Sequence, residues 1–213
     1  MCYTAAASIR AWLVNVTTCA LLFYFAKGNK QYEALALFFL FVGTMQLYDY
    51  IFHTYPPGTK MNLVATKLAM LTNHLIPVVL ALLILKYMGQ QMPPSSRFIL
   101  GAYVVVALLY TLQSWQNVEY TRKKGDYVVW DWNKQEYGDV FAALFLVTLM
   151  VLLKNNFKRP LSKVSVIISL VSFALAYFMF QRHESTGRFW CYFAVFVPVL
   201  YLMMALTNVR LVE

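Results

Sequence analysis

Gln46, Asp49, Tyr50 and His53 recur at i, i+3, i+4 and i+7 inside a strongly apolar stretch. That spacing sets four hydrogen-bonding or ionisable groups on one helical face. A second polar stripe follows the Pro56-Pro57-Gly58 turn: Asn62, Thr66, Lys67, Asn73 and His74, with Pro77 one turn further on. The short turn makes the two helices antiparallel neighbours and brings Asp49 roughly level with Lys67, so an Asp49–Lys67 ion pair is the simplest expectation. An unsatisfied charge inside a span costs at least about 2.5–3.5 kcal/mol, so neither residue is expected to face lipid. Two chemistries fit. In one, the pair neutralises itself and the amides hydrogen-bond between helices, which holds a bundle together. In the other, the stripes line a water-accessible cavity where Asp49 takes a cation or proton and His74 or His53 titrates beside it. Gln46, Asp49, Tyr50, Lys67, Asn73 and His74 are therefore the candidate ion- or ligand-binding residues.

Metal chemistry is a second candidate. A mononuclear zinc site would draw on His53, His74, His183 or Cys191, with Asp49 as a further ligand, and a zinc-bound water would support hydrolysis near the membrane surface. No two of these residues form an HxxxH or CxxC pair, so the spacing itself carries little of the case. The start Met1-Cys2 adds a catalytic candidate. Loss of Met1 would leave Cys2 with a free amine beside its thiol, a pair able to chelate a metal, attack as a nucleophile or accept an acyl chain. The alternative is an untouched Met-Cys start.

The elements that must position these groups are membrane spans. The chain of 213 residues is 61% hydrophobic, 17% aromatic and only 13% charged, too apolar for an ordinary soluble domain. Apolar runs cover about 11–26, 34–55, 62–85, 98–115, 138–153, 161–181 and 189–207, near the roughly 20 residues a spanning helix needs. They lack period-2 alternation and read as helices. The fold class expected is all-α, an integral membrane bundle of seven transmembrane helices in a single domain over 1–213. The first run has the length of a signal-peptide core, with Ala26 as a cleavage position. Its Asn15, Thr17, Thr18 and Cys19, and the spans that follow at once, suit a retained helix better. Residues 116–137 form the longest polar segment and interleave charges with Tyr127, Trp130, Trp132 and Tyr137. The reading is a loop on the membrane surface with its rings at headgroup depth; a lid over a cavity is the other option.

Seven spans put the termini on opposite sides. Side A holds the C-terminus and side B the N-terminus. The 18 Lys and Arg divide evenly between them, whereas of the nine acidic residues only Glu33 and Glu213 fall on side A. The short, clean loops of side A favour a cytoplasmic C-terminus. The net charge of +9 arises from residues in the gaps between apolar runs, which makes them headgroup anchors and argues against nucleic acid. The lipid bilayer is the partner this implies, with an ion or small molecule as ligand.

Several functions are excluded by what the chain lacks. The seventh span carries no Lys for a retinal Schiff base, and there is no Gly-rich phosphate loop, GxSxG elbow or HExxH helix. No span has the spaced arginines of a voltage sensor, and a TVGYG filter is absent.

The segments MCYTAAAS (Met1 to Ser8), MQLYDY (Met45 to Tyr50), NHLIP (Asn73 to Pro77) and RFWCYF (Arg188 to Phe193) resemble a family of small uncharacterised multipass membrane proteins of large DNA viruses and bacteria. Members tend to begin Met-Cys-Phe-Ser-Ala and carry a Met-Gln-Leu-x-Glu-Tyr motif in the second span. Asp49 stands here where the family favours Glu, and Thr4 where it favours Ser. The resemblance groups Cys2, Gln46, Asp49, His74 and Cys191 as one site but implies no mechanism.

The expectation is a channel, transporter or receptor-like protein with a polar cavity between the first, second, third and seventh helices, centred on Asp49, Lys67 and His74. Pro77 and Pro198 would kink the third and seventh. The alternatives are an intramembrane hydrolase or transferase acting on a lipid or small amphiphile, metal- or Cys2-dependent, and a structural membrane protein.

Overall fold

The computed structural model describes residues 4–124, 127–130, 132, 137–180 and 186–210. Every apolar run becomes a helix, in the order α1 (Ala5–Phe25), α2 (Lys30–Gly43), α3 (Met45–Thr54), α4 (Lys60–Leu82, extended by a π-helical turn Leu83–Tyr87), α5 (Pro94–Asn117), α6 (Gly138–Asn156), α7 (Leu161–Phe180), α8 (Thr186–Ala194) and α9 (Val197–Arg210). Two pairs, α2 with α3 and α8 with α9, each make one span, so seven segments are long and apolar enough to cross a membrane. The protein is thus an all-α, seven-helix integral membrane bundle. Local chemistry marks the starts. Thr4, Asn29 and Thr59 cap α1, α2 and α4 through side-chain oxygens, and Pro94 opens α5, where a missing N–H costs nothing.

The second and seventh spans are broken, and the reason differs. Pro198 cannot donate to the Ala194 carbonyl, and the seventh span pauses at Val195–Phe196, held by bonds from Phe196 N to Phe193 O and from Val199 N to Phe196 O. In the second span the pause is at Thr44, whose hydroxyl donates to the Phe41 carbonyl at 2.6 Å. Asn15 of α1 serves both breaks. Its Nδ2 donates to Val195 O at 3.2 Å, while its amide packs so tightly on Gly43 that a Cβ there would stand 2.8 Å from the Asn15 Cγ. Pro77, expected to permit a kink, lies inside α4, and the helix is continuous through it.

The described residues of 116–137 pack partly against the helices. Strands β1 (Arg122–Lys124) and β2 (Tyr127–Val129) pair antiparallel, with Arg122 opposite Val129. The hairpin folds inward, so Val128, Trp130 and Trp132 are buried, the two indoles stacked at 4.8 Å. Tyr137 is 65% exposed. Indoles with protein to pack on gain more burial there than at a headgroup boundary. The described residues of the segment cover the ends of α3 and α4 on side B as a lid, through Thr121 on Asn62 and Trp130 on Asp49.

Two cores result. The larger joins α1, α2, α4, α5, α6, α7 and α9 through the side-A half and middle of the bundle. The smaller, under the lid, gathers Met45, Phe52, Ala65, Met70, Trp130 and Cys191 among others. Side A is clamped by polar bonds. Glu33 accepts from Gly28 N at 2.8 Å and from the Tyr87 hydroxyl at 2.7 Å. Gln31 Oε1 accepts from Lys158 N at 2.8 Å, and Asn156 Nδ2 donates to Ser96 Oγ at 3.3 Å.

Candidate functional site: a buried ion pair beneath the side-B lid

Asp49 is a buried carboxylate on α3, and its counter-ion is Arg188 at the start of α8. Arg188 Nε donates to Asp49 Oδ2 at 3.0 Å, with both side chains 1% exposed. The lid closes the other side, where Trp130 Nε1 points at Asp49 Oδ1 from 3.4 Å. Arg188 NH2 lies 3.0 Å from His53 Nε2. A guanidinium only donates, so in this contact the imidazole nitrogen is the acceptor. Asp49 and His53, one helical turn apart on α3, thus grip opposite ends of one arginine.

The expected Asp49–Lys67 pair does not form. Lys67 Nζ sits 4.8 Å from the centre of the Trp115 ring. Its span runs 28 residues from Lys60, about 42 Å at 1.5 Å per residue, well beyond a hydrocarbon core of about 30 Å. Lys67 is half-buried and finds its partner in the indole. Lys67 does not need Asp49.

His74 is elsewhere again. Its Nδ1 is 2.6 Å from Thr111 Oγ1, its carbonyl accepts from the Tyr103 hydroxyl at 2.7 Å, and its ring packs against Phe141 with centroids 4.5 Å apart. The proposed centre of Asp49, Lys67 and His74 is therefore three separate environments. Gln46 is fully buried on the Asp49 side of α3, Tyr50 is exposed on the bundle exterior, and Asn73 is half-buried. Asn62 and Thr66 anchor the lid. Asn62 Oδ1 accepts from Thr121 N at 3.0 Å, Asn62 Nδ2 donates to Thr121 O at 3.2 Å, and Thr66 Oγ1 donates to Thr121 Oγ1 at 2.9 Å. The polar stripe of α4 is thus packed against the lid instead of lining an opening.

Among the described residues no three His, Cys, Asp or Glu side chains stand close enough to hold a metal ion. Cys191 is a buried free thiol in the cluster under the lid. Cys2 and His183 lie outside the described residues. An open cleft of about 360 Å³ is bounded by His53, Thr54, Pro56, Pro57 and Arg122. A second space of about 50 Å³, lined chiefly by apolar residues, lies between α2, α4, α6, α7, α8 and α9.

Sequence reasoning missed Arg188, Trp130 and Asn15. The available signal for Arg188 was an arginine one turn before Cys191 at the head of an apolar run; for Asn15 it was a lone amide in mid-span. Two of the resembling segments, MQLYDY and RFWCYF, meet through Asp49 and Arg188. Comparison with family models, curated proteins and solved structures produced no match, so the site is read from its geometry alone.

Proposed function

We propose that the protein is a gated membrane protein of transporter or receptor type, closed on side B by the Asp49–Arg188 pair. The observation that carries this reading is a fully buried ion pair joining α3 to α8, the side-B halves of the two broken spans. Each break is a hinge. Side A is clamped by Glu33, Gln31 and Asn156, while the α3–α8 unit is attached beyond the breaks and covered by the lid. Separating Arg188 from Asp49 strands two charges unless water reaches both, so packed-and-dry and open-and-wet are two discrete states. Discontinuous spans meeting near mid-bilayer are a recurring feature of transporter binding sites, and irregular backbone at that depth is tolerated where protein surrounds it. The triggering ligand is an ion or small molecule that reaches His53 through the side-B cleft. Side A, with its short loops, faces the cytoplasm.

Cys191 reports the gate and Cys19 controls for unfolding, since both thiols are buried. In a Cys2→Ser background, Asp49→Asn should raise the labelling rate of Cys191 by a membrane-impermeant maleimide at least tenfold and leave Cys19 slow. A folded Asp49→Asn protein with Cys191 still protected would overturn the gate and leave a structural role for the pair. Acceleration at both cysteines would mean unfolding.

A further inference from the structure

We infer that side A is a docking surface for the headgroups of anionic phospholipids, with the α6–α7 turn at its centre. This goes beyond the gated reading above and does not depend on it.

Charge comes first. The nine Lys and Arg of side A stand against only Glu33 and Glu213, whereas the nine of side B stand against seven acids, so the net charge of +9 divides as +7 and +2. The eight side-A cations whose side chains are described, from Lys27 to Lys163, are all exposed. Glu33 does not balance them from the surface. It is 5% exposed, and its two oxygens already accept from Gly28 N and the Tyr87 hydroxyl. Among the described residues no side-A cation forms a salt bridge with a carboxylate.

Packing gathers these cations. Asn155 Nδ2 donates to Ser95 Oγ at 3.2 Å and Asn156 Nδ2 to Ser96 Oγ at 3.3 Å, which sets the start of α5, with Arg97, beside the end of α6, with Lys154. Lys158 N donates to Gln31 Oε1 at 2.8 Å, which sets the α6–α7 turn, with Lys158 and Arg159, beside Lys30 of α2. Three neighbouring segments thus contribute to one basic surface. The bonds that join them use main-chain and uncharged side-chain groups and none of the charges.

The rings at this level identify the partner. Phe98, next to Arg97, is 78% exposed, and Tyr24, three residues before Lys27, is 72% exposed. Exposed aromatic rings with cations just beyond them mark the boundary at which lipid headgroups lie. An aqueous polyanion would leave those rings uncovered. Cations within a Debye length of an anionic leaflet add their attractions, and among the described residues side A exposes no acid to offset them.

The full-length protein, purified in a non-ionic detergent, would be titrated with dioleoylphosphatidylglycerol or dioleoylphosphatidylcholine, which share their chains, and bound lipid counted by native mass spectrometry. The expected result is that phosphatidylglycerol binds more tightly by about tenfold or more, and that this preference falls by about fivefold or more in Lys158→Gln/Arg159→Gln. Both side chains are exposed and the bond to Gln31 uses the Lys158 main chain, so this variant should keep the fold. Lys154→Gln/Lys163→Gln replaces it if thermal unfolding shows otherwise. Arg10→Gln/Lys60→Gln removes the same charge from side B and should leave the preference within about twofold of wild type. Equal binding of the two lipids, or an equal loss of preference in the side-A and side-B variants, would overturn the assignment. Unselective lipid binding together with tight binding of heparin would overturn it in favour of an aqueous polyanion.

Discussion

The Asn15 side-chain amide donates to the Val195 carbonyl at 3.2 Å, across 180 positions of sequence, and the same amide rests on Gly43. One residue of α1 thereby fills the break in the seventh span and sets the size of the residue before the break in the second. Asn15 is fully buried and held by its hydrogen bond, so it cannot step aside. Gly43→Ala should therefore destabilise by about 1–3 kcal/mol through overpacking, more than the roughly 1 kcal/mol an Ala contributes to a helix. Asn15→Ala should cost a similar amount, about 1–3 kcal/mol, by orphaning the Val195 carbonyl. The double variant has room for the new Cβ. Its loss should fall short of the sum by more than about 0.5 kcal/mol in equilibrium unfolding from mixed micelles.

Removing one partner of the buried pair should be worse than removing both. Asp49→Asn or Arg188→Gln is expected to cost about 3–5 kcal/mol, because the remaining charge is left dry and uncompensated. An Asp49→Leu/Arg188→Met double variant should recover most of that loss while abolishing any triggered exposure of Cys191. Thermal unfolding of the three proteins, set beside the labelling rates, separates stability from gating.

His53 is required as an acceptor, not as a cation. Substitution by Gln keeps an oxygen able to receive the Arg188 N–H, and should leave Cys191 protected to within about threefold of wild type, a difference of about 0.7 kcal/mol by the usual conversion. His53→Lys supplies only donors and places a second cation beside the guanidinium. It should expose Cys191 to the extent that Asp49→Asn does, measured by the same maleimide reaction.

Lys67→Met should change stability by no more than about 1 kcal/mol, the scale of an exposed cation–π contact. A lysine paired with Asp49 would instead cost about 3–5 kcal/mol when removed. The size of this one loss, read from equilibrium unfolding, decides between the two placements of the lysine.

Opening of the lid should depend on Asn62. Its side chain bonds both the N–H and the carbonyl of Thr121, and the Tyr110 hydroxyl donates to Trp132 O at 2.6 Å further along. In Asn62→Leu the amides of 118–130 should exchange at least tenfold faster, while those around Gly28 and Lys158 on side A keep wild-type rates. Hydrogen exchange with peptide resolution makes the comparison.

Seven spans, their order and the sidedness of the polar groups were legible without coordinates, because in hydrocarbon the backbone must satisfy itself and an apolar run of sufficient length has essentially one answer. Helical periodicity also placed Gln46, Asp49 and His53 on one face, as the geometry of α3 requires. The partner of Asp49 could not be read in that way. Lys67 was nearer in sequence and level in an idealised antiparallel pair, but it turns to the Trp115 ring, and the closing of the bundle brings Arg188 in from 139 positions away. Trp130 and Trp132 are equally at home at a headgroup boundary or in a core, and only the space above α3 and α4 decided that they turn inward. The sequence by itself determined an apolar bundle with a few polar groups that lipid would not accept. Which of those groups meet was decided by tertiary structure, because helix–helix pairing and lid docking depend on shape between segments far apart in the chain, and no local pattern encodes that.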